Sequence, residues 1–174
     1  MKDYKTLFLY KPFSECEPGT KIVTQQKIIT ASDISLFCSM TKQDLAMFLD
    51  DDTARKNGWP KAIVPGVYTF SCSVGLMESS GMLADVVAYM GVDEVRFSNP
   101  VFAGDIIHVE AELLSKRLTK AGDRGLVNYK WETYKQDGTL VVSAKNTCMY
   151  RVQKDGEPRT FDSIQNLMET KAKK

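Results

Sequence analysis

The sequence predicts an α+β fold: short helices, one of them buried and rich in small residues, followed by a long-stranded antiparallel sheet. Three observations carry this. From Ile107 onward, Ile107, Val109, Ala111 and Leu113 alternate with His108, Glu110 and Glu112, the pattern of a half-buried strand. Two more such segments follow, Leu126–Tyr134 and Leu140–Arg151, joined by short turn signals, so the second half reads as a meander. Ahead of them lies a helical stretch opening at Pro65-Gly66, with Val67, Phe70, Val74 and Met77 at helical spacing and Ser71, Cys72, Ser73 and Gly75 keeping the rest small. Small residues let a helix approach a sheet closely, so this helix is expected to be the buried one.

The other elements follow in chain order. Residues 1–30 read as irregular with short extended pieces, the N-terminal segment 1–20 being punctuated by Pro12, Pro18 and Gly19. Lys27-Ile28-Ile29-Thr30 reads as a strand end, after which Thr30 or Ser32 caps a helix with Asp33 in its first turn. That helix runs to about Met40, with Ile34, Phe37 and Cys38 on one face. Residues 41–49 are apolar without a clean period. Asp50-Asp51-Asp52-Thr53 then caps a short helix that ends near Asn57-Gly58. The third helix, from Pro65-Gly66, runs to about Ser79 or Ser80. Val86–Phe97 is a further strand, which makes at least four in the sheet. Asp137-Gly138 is a hairpin signal before the last strand. A helical tail is expected over 158–174, with Phe161, Ile164, Leu167 and Met168 on one stripe.

Composition narrows the function. The chain has 174 residues, 43% of them hydrophobic, enough for one domain over 1–174 with a sizeable core. Its formal charge of +1 argues against a nucleic-acid partner, which calls for a basic excess. No apolar run approaches the roughly 20 residues of a membrane span, and Leu7-Phe8-Leu9-Tyr10 is too short for a secretory signal core. Cys16, Cys38, Cys72 and Cys148 are scattered with no CxxC pair, so neither a metal site nor a disulfide framework is expected, and a reducing cytoplasm is the simplest setting. The absence of a phosphate-cradling glycine loop leaves no cofactor expected.

A set of short motifs carries a resemblance. Phe13, Pro18-Gly19, Ile28-Ile29-Thr30-Ala31-Ser32-Asp33-Ile34 and Phe37 are followed by Asp50, Ala54, Gly58 and Ile63-Val64-Pro65-Gly66. Then come Val95-Arg96-Phe97, Asn99-Pro100-Val101 and Gly104-Asp105. In this order and spacing, from about Phe13 to Arg151, the chain resembles the MaoC-like dehydratases. The resemblance implies a hot-dog fold, with the sheet wrapped around the central helix. It also implies a ligand that is an acyl thioester of coenzyme A or of acyl carrier protein. Active members add water to a trans-2-enoyl thioester or remove it from an (R)-3-hydroxyacyl thioester. Two hot-dog units pair, so a homodimer is expected, or a heterodimer with a catalytic hot-dog subunit; pairing also covers an exposed edge strand.

By the same resemblance, an Asp and a His in a Gly-Asp-x-Asn-Pro-x-His-like segment hold the water and move the proton. A backbone N–H at the start of the central helix polarises the thioester carbonyl. The second part fits Pro65-Gly66-Val67, since N–H groups at a helix start are free and suited to a developing enolate oxygen. Tyr68, one turn in, is a further candidate for lining the pocket, as a hydrogen-bond donor.

The first part does not fit. Thr41 to Phe48 falls over the catalytic segment, with Gln43 at the Asp position and Phe48 at the His position. A shift by one residue brings Asp44 onto the Asp position, but Leu49 then takes the place of the His. Gln43 orients water by hydrogen bonds but cannot take its proton, and Phe48 does neither. The single histidine, His108, lies on a downstream strand and is expected to face solvent. Cys38 and Cys72 read as small buried hydrophobes, not nucleophiles. Three readings stay open. One is a thioester-binding protein with an incomplete catalytic pair, using Gln43, Phe48, Pro65, Gly66, Val67 and Tyr68 to bind. The second is a hydratase with Asp44 as a relocated acid/base. The third is a thioesterase with Glu78 or Asp44 activating water.

Overall fold

The structure, a computed structural model, describes residues 12–152. The helical tail expected over 158–174 and the patch Leu7–Tyr10 lie outside the described residues. A short 3-10 turn at Phe13–Glu15 leads into two brief strands, β1 (Lys21–Val23) and β2 (Lys27–Ile28). Four helices follow: α1 (Ala31–Thr41), α2 (Ala46–Leu49), α3 (Asp51–Lys56) and α4 (Gly66–Ser79). The long strands are β3 (Val86–Phe97), β4 (Ile106–Leu118), β5 (Arg124–Lys135) and β6 (Leu140–Arg151).

The six strands form one antiparallel sheet in the order β1-β4-β5-β6-β3, with β2 also on β4. The meander β4–β5–β6 is as the alternation predicts. The earlier strand β3 joins it at β6, opposite the end where β1 and β2 sit. One edge of β3 therefore has no partner strand among the described residues, and Val87, Tyr89, Met90 and Phe97 are exposed along it.

Period-2 burial fixes the inner face of the sheet. Val109, Ala111 and Leu113 of β4, Val127, Tyr129, Trp131 and Thr133 of β5, and Val142, Ala144, Asn146, Cys148 and Tyr150 of β6 are all buried. Phe70 of α4 lies against Trp131, with ring centroids 5.4 Å apart. The 3-10 turn is seated by Phe13, whose ring fills the space that a side chain at Gly125 would need.

The stripe expected to bury α4 is shifted. Tyr68, Thr69, Ser73, Leu76 and Met77 are buried, whereas Val67 is 44% exposed. Ser73 faces the sheet because its hydroxyl is satisfied. Ser73 Oγ donates to the Thr69 carbonyl at 2.8 Å and lies 2.7 Å from Thr133 Oγ1 of β5. A serine hydroxyl has one hydrogen, so Thr133 is the donor in the second bond. The small-residue face thus brings the helix within hydrogen-bonding distance of the sheet.

Helix starts follow their caps. Thr30 Oγ1 accepts from the Asp33 N–H and the Asp33 carboxylate accepts from the Thr30 N–H, both at 3.1 Å, a reciprocal capping box on α1. The Thr30 N–H and, more weakly, the Thr30 hydroxyl and Lys27 hold the Asp33 pKa below its ordinary 3.8. Its contribution is therefore present at and above about pH 4 and is lost as pH falls through the lowered value. Thr30→Ala is expected to lower stability by about 1 kcal/mol in urea unfolding at neutral pH. Asp50 caps α3 through the Thr53 N–H at 2.7 Å and the Thr53 hydroxyl at 2.6 Å.

His108 departs from its expected exposure. It stands on the outer face of β4 opposite Tyr134 of β5, which stacks on it at 6.0 Å, and its side chain is only 21% exposed. An aromatic cross-strand neighbour covers the imidazole, a pairing that one-strand alternation does not reveal.

Candidate functional site

The site is built where three chain segments converge. The first is the approach to α4. The Ile63 N–H donates to the Met47 carbonyl at 3.2 Å and the Val64 N–H donates to the Val101 carbonyl at 2.8 Å. Ile63 and Phe102 form a bridge beside them. The second is the end of β3 and its loop, where the Ser98 N–H donates to the Val141 carbonyl at 2.9 Å and Asn99 Nδ2 to the Leu140 carbonyl at 2.8 Å. The third is the start of β6, where Val142 pairs with both Phe97 and Thr133.

Between them is a cavity of about 220 Å³. Gly66 and Thr69 of α4 form one wall, Val141 and Val142 another, and Phe97, Asn99 and Trp59 also line it. Gly66 is what admits the Phe97 ring: a Cβ there would stand 2.9 Å from Cδ1. Pro65 supplies the N-cap of α4, and its carbonyl takes the N–H groups of Tyr68 and Thr69. The N–H groups of Gly66 and Val67 have no acceptor among the described residues. They are the unpaired donors of the first turn of a 14-residue helix, at its positive end.

This corner can therefore hold a carbonyl or enolate oxygen by backbone donors in a largely apolar hollow. Among the described residues, no Asp, Glu, His, Cys, Lys or Tyr lines it. Its polar side chains, Thr69, Ser98, Asn99 and the indole of Trp59, do not exchange protons near neutral pH.

The sequence-derived candidates are scattered around this cavity. Gly66 lines it. Pro65 is buried and Val67 is exposed, so each contributes through the backbone. Tyr68 turns away: it packs edge-on against Phe37 of α1 at 5.2 Å, and burial pushes its phenol pKa upward. Phe48 is half-buried against the core and Gln43 is half-buried, and neither lines the cavity. Asp44 opens on a separate hollow with Ser35, Cys38, Ser39, Lys42 and Leu49. There burial, and secondarily the Asp44 charge, raise the Cys38 thiol pKa. Glu78 is exposed in the last turn of α4. Thr69, Val141, Val142 and Trp59 were not singled out in the sequence; Val141 and Val142 reach the cavity through the pairing of β6 with distant segments, Thr69 stands one turn after Gly66 on α4, and Trp59 follows the end of α3.

With this geometry in view, comparison with known proteins is decisive on family. The model of the MaoC like domain matches residues 13–135. This chain belongs to the MaoC-like family. The MaoC-like protein is 30% identical over 109 residues to Protein MaoC of Klebsiella aerogenes, covering 63% of this chain and 32% of that one. It is 33% identical over 100 residues to the 3-hydroxyacyl-[acyl-carrier-protein] dehydratase FabZ of Dechloromonas aromatica, covering 51% of this chain and 62% of that one. It thus spans less than two thirds of the length of either relative. Among solved structures, it superposes on the monoamine oxidase regulatory protein from Archaeoglobus fulgius with a TM-score of 0.76 and 29% identity, covering 83% of this chain and 96% of that one. The six-stranded sheet with α4 packed on one face is a hot-dog fold.

Proposed function

We propose that this protein binds acyl thioesters of coenzyme A or acyl carrier protein and does not itself hydrate them. The observation that carries this is the Gly66 cavity: it lies at the start of α4, whose Gly66 and Val67 N–H groups have no acceptor among the described residues, and none of those residues brings it a proton-carrying side chain. The thioester carbonyl sits at Gly66 and Val67, where the backbone donors stabilise negative charge on its oxygen. Addition of water to an enoyl thioester also needs a group that removes a proton from water and another that returns one to carbon. By the resemblance, Gln43 and Phe48 fall where the family carries its Asp and His and supply neither, and the register that brings Asp44 onto the Asp position leaves Leu49 at the His position.

A second hot-dog subunit completes the assembly. The free edge of β3, with Val87, Tyr89, Met90 and Phe97 exposed along it, is where a second copy or a catalytic homologue adds. No helix among the described residues is long and apolar enough to cross a membrane. Cys16, Cys38, Cys72 and Cys148 are free thiols.

The test is loss of enoyl absorbance with crotonyl-CoA and longer enoyl-CoAs, beside thermal-shift measurements with the same compounds. The purified chain is expected to be stabilised by the thioesters and to turn none of them over. Turnover abolished by Asp44→Asn would replace this reading with a rewired hydratase. Release of free coenzyme A would point instead to a thioesterase. No thermal shift with any thioester would sink the binding role.

A further inference from the structure

We propose that the Gly66 cavity takes a short apolar acyl chain, about four carbons beyond the carbonyl, and that Val141 sets its depth. This rests on the acyl-thioester reading above. The cavity holds about 220 Å³. At about 30 Å³ per water-sized group, that is room for about seven such groups. The carbonyl carbon, its oxygen and the sulfur take three, and about four carbons remain, counted beyond the carbonyl. An eight-carbon chain exceeds this volume and must leave part of its length outside the cavity.

The inner wall is built not to retract. Along β6 the residues facing inward are Val142, Ala144, Asn146, Cys148 and Tyr150, every second position. Val141 breaks this order. Thr133 pairs with Val142 while Tyr134 pairs with Leu140, so Val141 is the extra residue of a β-bulge. Both Val141 and Val142 are 1% exposed, and both line the cavity. The bulge has turned an outward position inward and added a second isopropyl group to the wall. It is fixed from both sides. Val141 accepts the Ser98 N–H and Leu140 accepts from Asn99. Across the sheet, Thr133, the partner of Val142, is hydrogen-bonded to Ser73 of α4. The remaining aliphatic walls, Ile63, Val64 and Val101, offer a chain nothing polar to bind.

Calorimetric titration of the full chain with acetyl-, butyryl-, hexanoyl- and octanoyl-CoA tests this. Affinity is expected to rise about fourfold per buried methylene through butyryl-CoA, whose three carbons beyond the carbonyl all fit, and to level off by hexanoyl-CoA, whose fifth does not. Val141→Ala extends the rise to hexanoyl-CoA. Val141→Leu moves the optimum toward acetyl-CoA, and it carries the same test with opposite sign if the alanine variant does not fold. A wild-type affinity that climbs through octanoyl-CoA, or chain-length profiles that superpose in folded variants, would overturn the inference while leaving thioester binding intact. Equal affinity for all four compounds and free coenzyme A would overturn the thioester reading itself, and the chain-length assignment with it.

Discussion

Gly66→Ala is expected to weaken thioester binding about tenfold while leaving the melting temperature nearly unchanged. The two effects separate because they have different causes. Gly66 is not in the left-handed region of backbone space, and alanine is the better helix former by about 1 kcal/mol, so the helix itself gains. The added methyl, however, stands 2.9 Å from Cδ1 and 3.0 Å from Cε1 of Phe97, and the ring must move. Phe97 is 52% exposed in the single chain, so its ring can shift at little cost to this chain's own core. The space around it is the cavity that it lines with Gly66. Overpacking of this kind costs about 1–3 kcal/mol, and tenfold in affinity is about 1.4 kcal/mol. The double variant Gly66→Ala/Phe97→Leu removes the clashing ring atoms and should recover part of the affinity. If Gly66 were only a convenient residue at a helix start, both variants would bind as the wild type does.

This result would also locate what the sequence could and could not convey. The long strands were legible because each obeys a period of two over its own length, and the caps at Thr30 and Asp50 because their partners lie three residues away. The short strands β1 and β2 exist only by pairing with β4, more than 75 residues later, and their own few residues carry no period. The buried face of α4 was misjudged for a related reason. Hydrophobicity ranks Val67 above Ser73, but Ser73 has a hydroxyl partner 60 residues away and Val67 has no such neighbour to cover it. The bulge at Val141 is invisible for the same cause, since it is a property of how β5 and β6 register. Gly66 was singled out through its motif, and the structure places it in the lining of the cavity. That Asp44 and Gly66 open on different hollows required the structure.

The Ser73–Thr133 bond gives the other large effect, and it is asymmetric. Ser73→Ala should destabilise the protein by about 1–3 kcal/mol, because it leaves the Thr133 hydroxyl with no acceptor at a position that is 0% exposed. Thr133→Val should be milder, about 0.5–1.5 kcal/mol, because Ser73 still donates to the Thr69 carbonyl within its own helix. The pair Ser73→Ala/Thr133→Val removes both hydroxyls and should be less harmful than Ser73→Ala alone, since no buried donor is then stranded. Urea unfolding of the four proteins closes a double-mutant cycle, and the favourable coupling it returns is the clamp between α4 and β5. Equal losses in the two single variants would mean that the Thr133 hydroxyl finds another acceptor. The helix would then be held to the sheet by apolar packing alone, through Phe70, Met77 and Trp131. In that case the wall behind Val142 would be free to shift, and the cavity beside Gly66 would owe its depth to the bulge at Val141 without support from the helix.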